Sequence, residues 1–344
     1  MIKRKHVLFI LILSCAFFLT FYKIPLATSQ GISVNAGWVE GNLPIEDPTS
    51  ELWQQVIAVE VPLSAQNVAK PFLLDTKIKS VSARALQNSS QIAFLIEWSD
   101  STRDESTVAT QDFRDAVALQ FPLVQGQPFF CMGQQGGNVN IWHWKADWQA
   151  EIIARKEMET QYPYMYVDYY PFTQAEEGKL ASIKEYTDTS YLPAQKTGNL
   201  FASPAYTSPV EDLIAGGFGS LTTQPMDGQN VYGFGEWKDG KWQVIFSRNL
   251  ESAEQDDISF SPGKVYSVAF AVWDGANMER NGQKSTSQWV SLQLSNLPGK
   301  QAVTAAETSA PQGFLTSRNS GLLIFGAIAL LIIIGAFIYF RLPE

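Results

Sequence analysis

The sequence predicts a mainly β fold, an antiparallel β-sandwich with a few helices, followed by one C-terminal transmembrane helix. Two observations predict the sandwich. Short runs rich in β-branched and aromatic residues alternate apolar with polar positions, and turn-forming residues separate these runs. Many short strands with few helices favour a sandwich or barrel over a fold in which strands and helices alternate. The membrane helix is predicted by an uncharged apolar stretch near the C-terminus.

Residues 1–30 are predicted to be a secretory signal peptide. Three basic residues among the first five precede an uncharged run at residues 7–22. That run has 16 residues, which is short for a membrane-spanning helix, and a basic segment followed by a short apolar one is typical of an export signal. We therefore expect the body of the protein to face the outside of the cytoplasmic membrane.

The C-terminus is predicted to anchor that body in the membrane. Residues 321–340 form 20 positions without a charge, bracketed by Arg318 and Arg341, and 20 residues match the thickness of the bilayer core. Residues 299–320 are mostly small and polar, which indicates a flexible tether. The predicted domain between the signal peptide and the tether therefore covers residues 31–298.

The body contains several predicted strands and one clear helix. The alternating segments lie at residues 55–61, 91–98, 116–121, 231–237, 242–246, 264–273 and 288–294. Asp239 and Gly240 separate two of these segments and are typical of a tight β-hairpin turn. A helix is expected from about Ala146 to Thr160, beginning at Asp147 or a nearby cap and ending before Pro163.

Charge and composition exclude several classes of function. The chain has a net charge of −9, and residues 1–23 hold four of its 25 basic residues and none of its 34 acidic ones, so the remainder carries −13. Nucleic acid and anionic lipid are therefore disfavoured as partners of the body, and a basic protein is possible. There is no C-x-x-C-H haem motif, no cysteine cluster, no G-x-S-x-G and no phosphate-binding glycine loop.

One segment concentrates the unusual side chains, residues 128–148, PFFCMGQQGGNVNIWHWKADW. A thioether at Met132, beside flexible glycines, can ligate haem iron or simply fill the core, and both roles stay open. His143 is the only histidine after His6, which excludes bis-histidine haem ligation in the body. Strand alternation places His143 on the face opposite its two neighbouring tryptophans, and a role other than metal ligand is favoured for it.

The two tryptophans, Trp142 and Trp144, have three possible roles. They can belong to the core, form the wall of a haem pocket, or provide a platform for a sugar. Cys131 is the only cysteine outside the predicted signal peptide, so no disulfide within the body is expected and its thiol is expected to be buried and inert.

Four segments resemble a known family. DAVALQFP at 115–122, FFCMG at 129–133, VNIWHWKADW at 139–148 and FAVWDGANMERNGQKSTSQW at 270–289 are similar to the haem-binding subunit of ethylbenzene dehydrogenase and its relatives. These relatives are the gamma-type subunits of complex iron–sulfur molybdoenzymes, which include selenate, chlorate and perchlorate reductases, dimethylsulfide dehydrogenase and nitrite oxidoreductase. The resemblance covers most of the body.

The resemblance implies a b-type haem bound without covalent attachment between a methionine and a lysine. Carried over to this chain, the axial ligands are Met132 and Lys284. Taken alone, Lys284 is an ordinary loop lysine, so its assignment rests on the resemblance. A ligating lysine has to lose its proton, which burial and a neighbouring cationic iron both favour. Trp142, Trp144 and Asn138 are expected to contact the haem, and Lys145 and Asn138 are candidates for its propionates.

The function implied by the resemblance is electron transfer without catalysis. With both axial positions filled, no position is open to a substrate. The chain would relay electrons between the iron–sulfur subunit of a molybdopterin oxidoreductase and a cytochrome c or other acceptor. The predicted C-terminal helix departs from the soluble members of the family and implies a complex tethered, through a single membrane pass, to the outer (periplasmic) face of the cytoplasmic membrane.

Two other classes of function remain. A sandwich of this kind can instead bind a carbohydrate on exposed aromatics, for which the candidates are Tyr162, Tyr164, Tyr166, Tyr169 and Tyr170. An enzyme would need paired carboxylates as acid and base, for which the candidates are Asp147, Asp168 and Glu279. A sugar-binding module has no need of the methionine and lysine pair, which therefore discriminates between the alternatives.

Overall fold

The computed structural model describes residues 31–298 except 69, 125–131, 155, 157, 165–195, 198 and 200–206. The predicted signal peptide, tether and transmembrane helix lie outside the described residues. Among the helices that are described, none is both long enough and apolar enough to cross a membrane.

The fold is mainly β, as predicted. The described strands, in chain order, are β1 (Ser33–Trp38), β2 (Val59–Pro62), β3 (Ser64–Ala65), β4 (Ser80–Gln87), β5 (Gln91–Ser99), β6 (Ala116–Pro122), β7 (Val139–Lys145), β8 (Val210–Ala215), β9 (Thr222–Thr223), β10 (Tyr232–Lys238), β11 (Lys241–Asn249), β12 (Val265–Trp273), β13 (Ser285–Thr286) and β14 (Val290–Leu294). Short 3₁₀ turns at Glu51–Gln55, Met226–Gly228 and Gly275–Asn277 lie between them.

The predicted long helix is shorter than expected. Helix α1 spans Ala146–Ile153, and a separate single turn, α2, spans Met158–Gln161. Only the first turn of α1 is buried, and the backbone becomes extended at Ala154. Its last apolar residues, Ile152 and Ile153, are exposed, and the helix ends there because most helical stability comes from packing an apolar face.

The strands follow one another in the order β10-β11-β5-β4-β1-β14-β12-β6-β7-β8-β9. Strand β12 turns the corner between two layers, because its first half pairs with β14 and its second half pairs with β6 and β13. The expected antiparallel pairing holds for the other pairs, but β1 runs parallel to both β4 and β14. Parallel neighbours need a long connection, and residues 39–79 between β1 and β4 supply one.

An aromatic core lies between the layers. Phe94 on β5 meets Trp142 on β7 with ring centroids 6.0 Å apart, and Phe121 on β6 lies 4.8 Å from Trp142. Trp144 on β7 contacts Trp242 on β11 edge to face at 5.0 Å. These tilted and edge-to-face contacts are favoured geometries of aromatic pairs. They fix the position of one layer relative to the other.

The layer that contains β5 also packs on its outer side. Strand β5 is buried on both faces, and its outward residues contact a small cluster built around Trp53 of the first 3₁₀ turn. This explains why the segment predicted as a strand at 55–61 is a strand only from Val59: its first part belongs to the cover over β5.

The hairpin prediction is confirmed, since Asp239 and Gly240 join β10 to β11 with φ of 52° and 77°.

The packing of β10 on the core generates a testable prediction. Gly235 lies against the indole of Trp144, and a Cβ at this position would overlap the ring. We expect Gly235→Ala to lower the free energy of unfolding by about 1–3 kcal/mol in urea denaturation, because the buried indole has no room to move.

The control is Glu236→Ala, one position along the same strand. Its side chain points to the other face of β10, so a change within about 0.5 kcal/mol is expected. Equal stability of the Gly235→Ala protein and the wild type would contradict the close approach of β10 to Trp144.

Candidate functional site

A cavity of about 890 Å³ lies on the outer face of the layer formed by β6, β7, β8 and the second half of β12. Its floor includes small side chains at alternate positions, Ala116 and Ala118 on β6 and Ala269 and Ala271 on β12. The residues between these alanines point into the aromatic core. Its walls are largely aromatic: Phe113, Phe218, Trp273 and Trp289. A volume in the range of about 300–1,000 Å³ with an apolar lining is typical of a site for a small molecule or cofactor.

Met132 enters the cavity from an unusual backbone conformation. Its φ is 67° and that of Gly133 is 74°, so two consecutive residues are left-handed. A Cβ at Gly133 would lie 2.8 Å from the carbonyl oxygens of both Ala215 and Gly137, so only glycine fits there. The carbonyl of Met132 accepts a hydrogen bond from Gly217 N at 2.8 Å. This tight loop, attached to the end of β8, directs the thioether into the cavity.

Lys284 enters from the opposite wall. It immediately precedes β13, which pairs with β12 and β3, and its carbonyl accepts from Gln66 N at 2.9 Å. The turn before it is closed by Gln283 N donating to Arg280 O at 2.8 Å. The backbone of Lys284 is therefore held on both sides, although sequence alone suggests an ordinary loop lysine.

The two predicted axial ligands meet in the cavity. Lys284 Nζ lies 3.6 Å from Met132 Sδ, in weak hydrogen-bond contact. The Lys284 side chain is 7% exposed, and its ammonium lies 4.8 Å from the centroid of the Trp273 ring. A thioether is a weak acceptor for an ammonium group, so this contact by itself contributes little to stability.

His143 also lines the cavity, on the face of β7 predicted from strand alternation. Its ring stacks on Trp273 at 4.6 Å, and its Nε2 is buried with no hydrogen-bond partner among the described residues. Burial holds the pKa of His143 well below 6.5, and the nearby positive charges of Lys145, Arg114 and Lys284 lower it further. The imidazole is therefore neutral at neutral pH.

Further charged side chains border the cavity. Arg114 donates to Asp147 at 2.7 Å, and Thr107 also donates to Asp147, so this carboxylate serves an ion pair. Burial raises the pKa of Glu279 to about 7, and the charge of Asp274 adds to the effect. Asp168, the third carboxylate proposed for an acid–base pair, lies outside the described residues. Asp147, which is described, forms an ion pair with Arg114.

The structure does not bring the other predicted haem contacts to the cavity. Trp142 and Trp144 are fully buried in the core between the layers, behind the cavity floor. Asn138 is exposed, and its side chain approaches Gly216. Lys145 is buried and paired with Glu211, and burial lowers its pKa to about 8. Cys131 lies outside the described residues.

Sequence reasoning did not assign Trp273, Arg114 and Arg280 to the site, although all three line the cavity. Trp273 and Arg280 belong to the 270–289 segment, so that segment contained the signal. Arg114 has no local signal, because its place in the wall depends on its ion pair with Asp147.

The fold and the site define a β-sandwich protein with a cofactor-sized cavity on the outer face of one layer, into which a thioether and an amine converge. The chain belongs to the ethylbenzene dehydrogenase family, whose model matches residues 50–285. The matched range includes Met132 and Lys284, the two residues that meet in the cavity.

Relatives with assigned names support this placement. A Haloferax mediterranei protein named as a respiratory nitrate reductase heme subunit is 28% identical over 77% of this chain and 78% of its own length. The gamma subunit of chlorate reductase from Ideonella dechloratans is 23% identical over 72% of this chain and 79% of its own. The gamma subunit of dimethylsulfide dehydrogenase from Rhodovulum sulfidophilum is 24% identical over 82% and 93%. The resemblance to gamma-type subunits is thereby confirmed.

Solved structures add little. A family 9 carbohydrate-binding module from Caldicellulosiruptor kristjanssonii, in complex with glucose, aligns over 78% of this chain and 99% of its own, with 8% identity and a TM-score of 0.35. A likeness this weak carries no argument about function.

The environment of His143 generates a second prediction. In the folded protein its imidazole is expected to titrate well below pH 6.5, because burial and nearby cations disfavour the charged form. Below pH 6.5 the folded state then binds fewer protons than the unfolded state, so the contribution of His143 to stability is lost as the pH falls. Histidine-selective NMR of the purified protein follows this titration directly.

The same protein unfolded in urea is the control, and its histidines should titrate near the ordinary value of about 6.5. His143→Gln identifies the resonance. A His143 signal that titrates near 6.5 in the folded protein would show that this side chain is solvated and not buried in the cavity wall.

Proposed function

We propose that this chain is the haem b subunit of a molybdenum oxidoreductase and transfers electrons without catalysing a reaction itself. In this proposal Met132 and Lys284 are the axial ligands of a non-covalently bound haem. The chain relays electrons between the iron–sulfur subunit of the complex, which also contains a molybdopterin subunit, and a cytochrome c or other acceptor.

The observation that carries the proposal is the approach of Lys284 Nζ to Met132 Sδ across the cavity. These residues are 152 positions apart, and each is held by its own constrained backbone, yet their donor atoms lie 3.6 Å from each other. A thioether and an amine are both established ligand types for transition metals, and neither gains much from contact with the other alone. A metal centre bound by both explains why the fold directs them to one point.

The described residues fit a haem in other respects. The cavity is largely apolar, with an alanine floor that leaves room for a flat group and aromatic walls that can contact its faces. Methionine and lysine side chains are unbranched and flexible, so the two can separate to admit a metal between them. When bound, haem would supply one-electron redox chemistry.

Other residues of the cavity have supporting roles in the proposal. Trp273 packs between His143 and Lys284 and excludes water from the amine. The Nε2 of neutral His143 has no hydrogen-bond partner in the part of the chain that the structure describes, so it is suited to hydrogen-bond a polar edge of a bound cofactor. Arg280 lines the cavity and is a candidate for a propionate carboxylate, in place of Lys145 or Asn138. Trp142 and Trp144 act indirectly, by making the floor rigid from behind.

Electron transfer without catalysis follows from the same ligand pair. If both axial positions are filled by protein atoms, no position remains for a substrate. The names of the relatives support a place in a larger complex, since two of them are gamma subunits of a reductase and a dehydrogenase. The excess of acidic residues in this chain suits docking to a basic electron acceptor such as a cytochrome c.

In the same proposal the chain is held at the outer face of the cytoplasmic membrane by a single pass. The support is the uncharged segment at 321–340 together with the signal-like N-terminus. The carbohydrate-binding alternative does not account for the partly buried contact of Met132 and Lys284. Of its five candidate tyrosines, Tyr162 and Tyr164 lie among the described residues, and both are exposed.

The ligand pair generates a third prediction. Purified full-length protein should show a low-spin b-type spectrum in a reduced-minus-oxidised difference measurement. Met132→Ala and Lys284→Ala should each lose this spectrum or convert it to high spin, because each removes one of two strong-field axial ligands.

Matched controls are Met278→Ala, an exposed methionine in the same loop as Lys284, and Lys264→Ala, an exposed lysine. Both should keep the wild-type spectrum. A wild-type protein that stays colourless after addition of haem would refute the proposal, and retention of the low-spin spectrum in both ligand variants would refute the assignment of the ligands.

A further inference from the structure

Three buried aspartates meet at one end of the sandwich, outside the cavity. Asp100 directly follows β5, Asp115 directly precedes β6 and Asp274 directly follows β12. They are 7%, 0% and 3% exposed, and one carboxylate oxygen from each lies within 4.8 Å of the others. We name these three residues the acid cluster. It joins the end of β5, in one layer, to the start of β6 and the end of β12, in the other layer.

No cationic side chain compensates the acid cluster among the described residues. The described ion pairs all involve other carboxylates. Asp115 instead accepts hydrogen bonds from neutral donors: Asp104 N at 2.8 Å, Trp242 Nε1 at 2.9 Å and Gly275 N at 2.9 Å. Buried charges are normally paired with opposite charge or coordinate a metal.

The pKa values reflect this lack of compensation. Burial raises the pKa of Asp115 to about 7, and the charge of Asp100 adds to the rise. Burial also raises the pKa of Asp100, with a further contribution from Asp274. The three carboxylates therefore repel one another in a place where water does not screen them.

A second observation is independent of the clustering. Asp100 uses Oδ1 to accept from Thr102 N and Oγ1, both at 3.1 Å, while its Oδ2 is buried and accepts no hydrogen bond of normal geometry from the described residues. Trp98 has the smallest effect on the pKa of Asp100, which it lowers, and among the described residues its Nε1 also has no hydrogen bond of normal geometry. A buried carboxylate oxygen without a donor is costly, and a coordinated cation would satisfy it.

We propose that Asp100, Asp115 and Asp274 bind a divalent cation of the calcium class. An all-oxygen donor set selects a hard cation. Ca²⁺ accepts a variable number of protein oxygens at about 2.3–2.6 Å, whereas Mg²⁺ demands near-ideal octahedral geometry and usually keeps several waters, so a buried set of three carboxylates suits the larger ion better.

The position of the acid cluster defines what the cation does. Asp274 begins the 3₁₀ turn Gly275–Asn277, which its side chain caps by accepting from Asn277 N at 3.0 Å. The chain then passes through Glu279, whose carboxylate accepts from Asp274 N, to Lys284 in the cavity. A cation at the acid cluster cross-links the two layers and fixes the start of the segment that forms one wall of the cavity.

The test uses purified full-length protein stripped with EGTA and titrated with CaCl₂ by calorimetry. We expect one Ca²⁺ per chain, weaker binding of Mg²⁺, and a rise in unfolding temperature of roughly 5 °C or more at a hundredfold excess of Ca²⁺ over its Kd. Tb³⁺ at the same site should be sensitised by Trp242, which touches Asp115, and displaced by Ca²⁺.

Asp100→Asn and Asp274→Asn should each weaken Ca²⁺ binding at least tenfold. The control is Asp212→Asn, a fully buried carboxylate in a different network, which should bind Ca²⁺ like the wild type. The proposal is overturned if stripped wild-type protein binds no Ca²⁺ at millimolar concentration, a result expected if the three carboxyls only share protons. It is also overturned if the acid-cluster variants and the control bind equally well. Neither measurement depends on the presence of haem.

Discussion

Alternation of large and small side chains along β6 and β12 is the constraint on which the rest of the structure depends. On the inner face, Phe121 and Phe270 belong to the same core cluster as the tryptophans of β7, and this core holds the two layers together. On the outer face the same strands carry alanines, and the space that these leave is the cavity. Successive residues of a strand point to opposite faces, so a shift of register by one residue would exchange the two sets of side chains. The large side chains would then occupy the cavity and the alanines would lie in the core. A rigid floor is therefore a consequence of core packing.

The candidate ligands reach this floor from two loops that are constrained in different ways. Met132 depends on backbone strain: a left-handed methionine is tolerated because Gly133 fits between two carbonyls and Gly217 anchors the carbonyl of Met132. Lys284 depends on strand pairing, since β13 fixes the residue that follows it. Each loop limits the freedom of its donor before any cofactor binds. Such preorganisation reduces the entropy lost on binding and favours a single coordination geometry.

Electrostatics divides the molecule into regions of opposite character. At the cavity, burial and then the nearby charges of Lys145, Arg114 and Lys284 lower the pKa of His143 and keep it uncharged at neutral pH. The acid cluster lies where β5, β6 and β12 end, and the segment 274–284 connects the two regions. That segment begins at Asp274 and ends at Lys284, so the acid cluster lies at the start of the chain segment that forms one wall of the cavity. The proposed cation would stabilise both the junction of the layers and the wall.

Local sequence determined a large part of this protein. Period-two alternation predicted the mainly β fold and most of the long strands, Asp239-Gly240 predicted its hairpin, and the alternation around His143 placed that side chain opposite Trp142 and Trp144. Similarity to a family singled out Met132 and Lys284, which the fold then brought into contact. Tertiary structure alone decided the remainder. Trp142 and Trp144 belong to the core because β5 and β11 cover their face of β7. Helix α1 ends where its residues are no longer buried. Strand β1 lies parallel to β4 and β14 and so joins segments that are far apart in sequence. The acid cluster has the same origin. Each of its three aspartates looks like an ordinary residue at the edge of a strand, and the three form a cluster only because three strands have one end at the same point. Charge repulsion and desolvation depend on distances in space that no local pattern encodes.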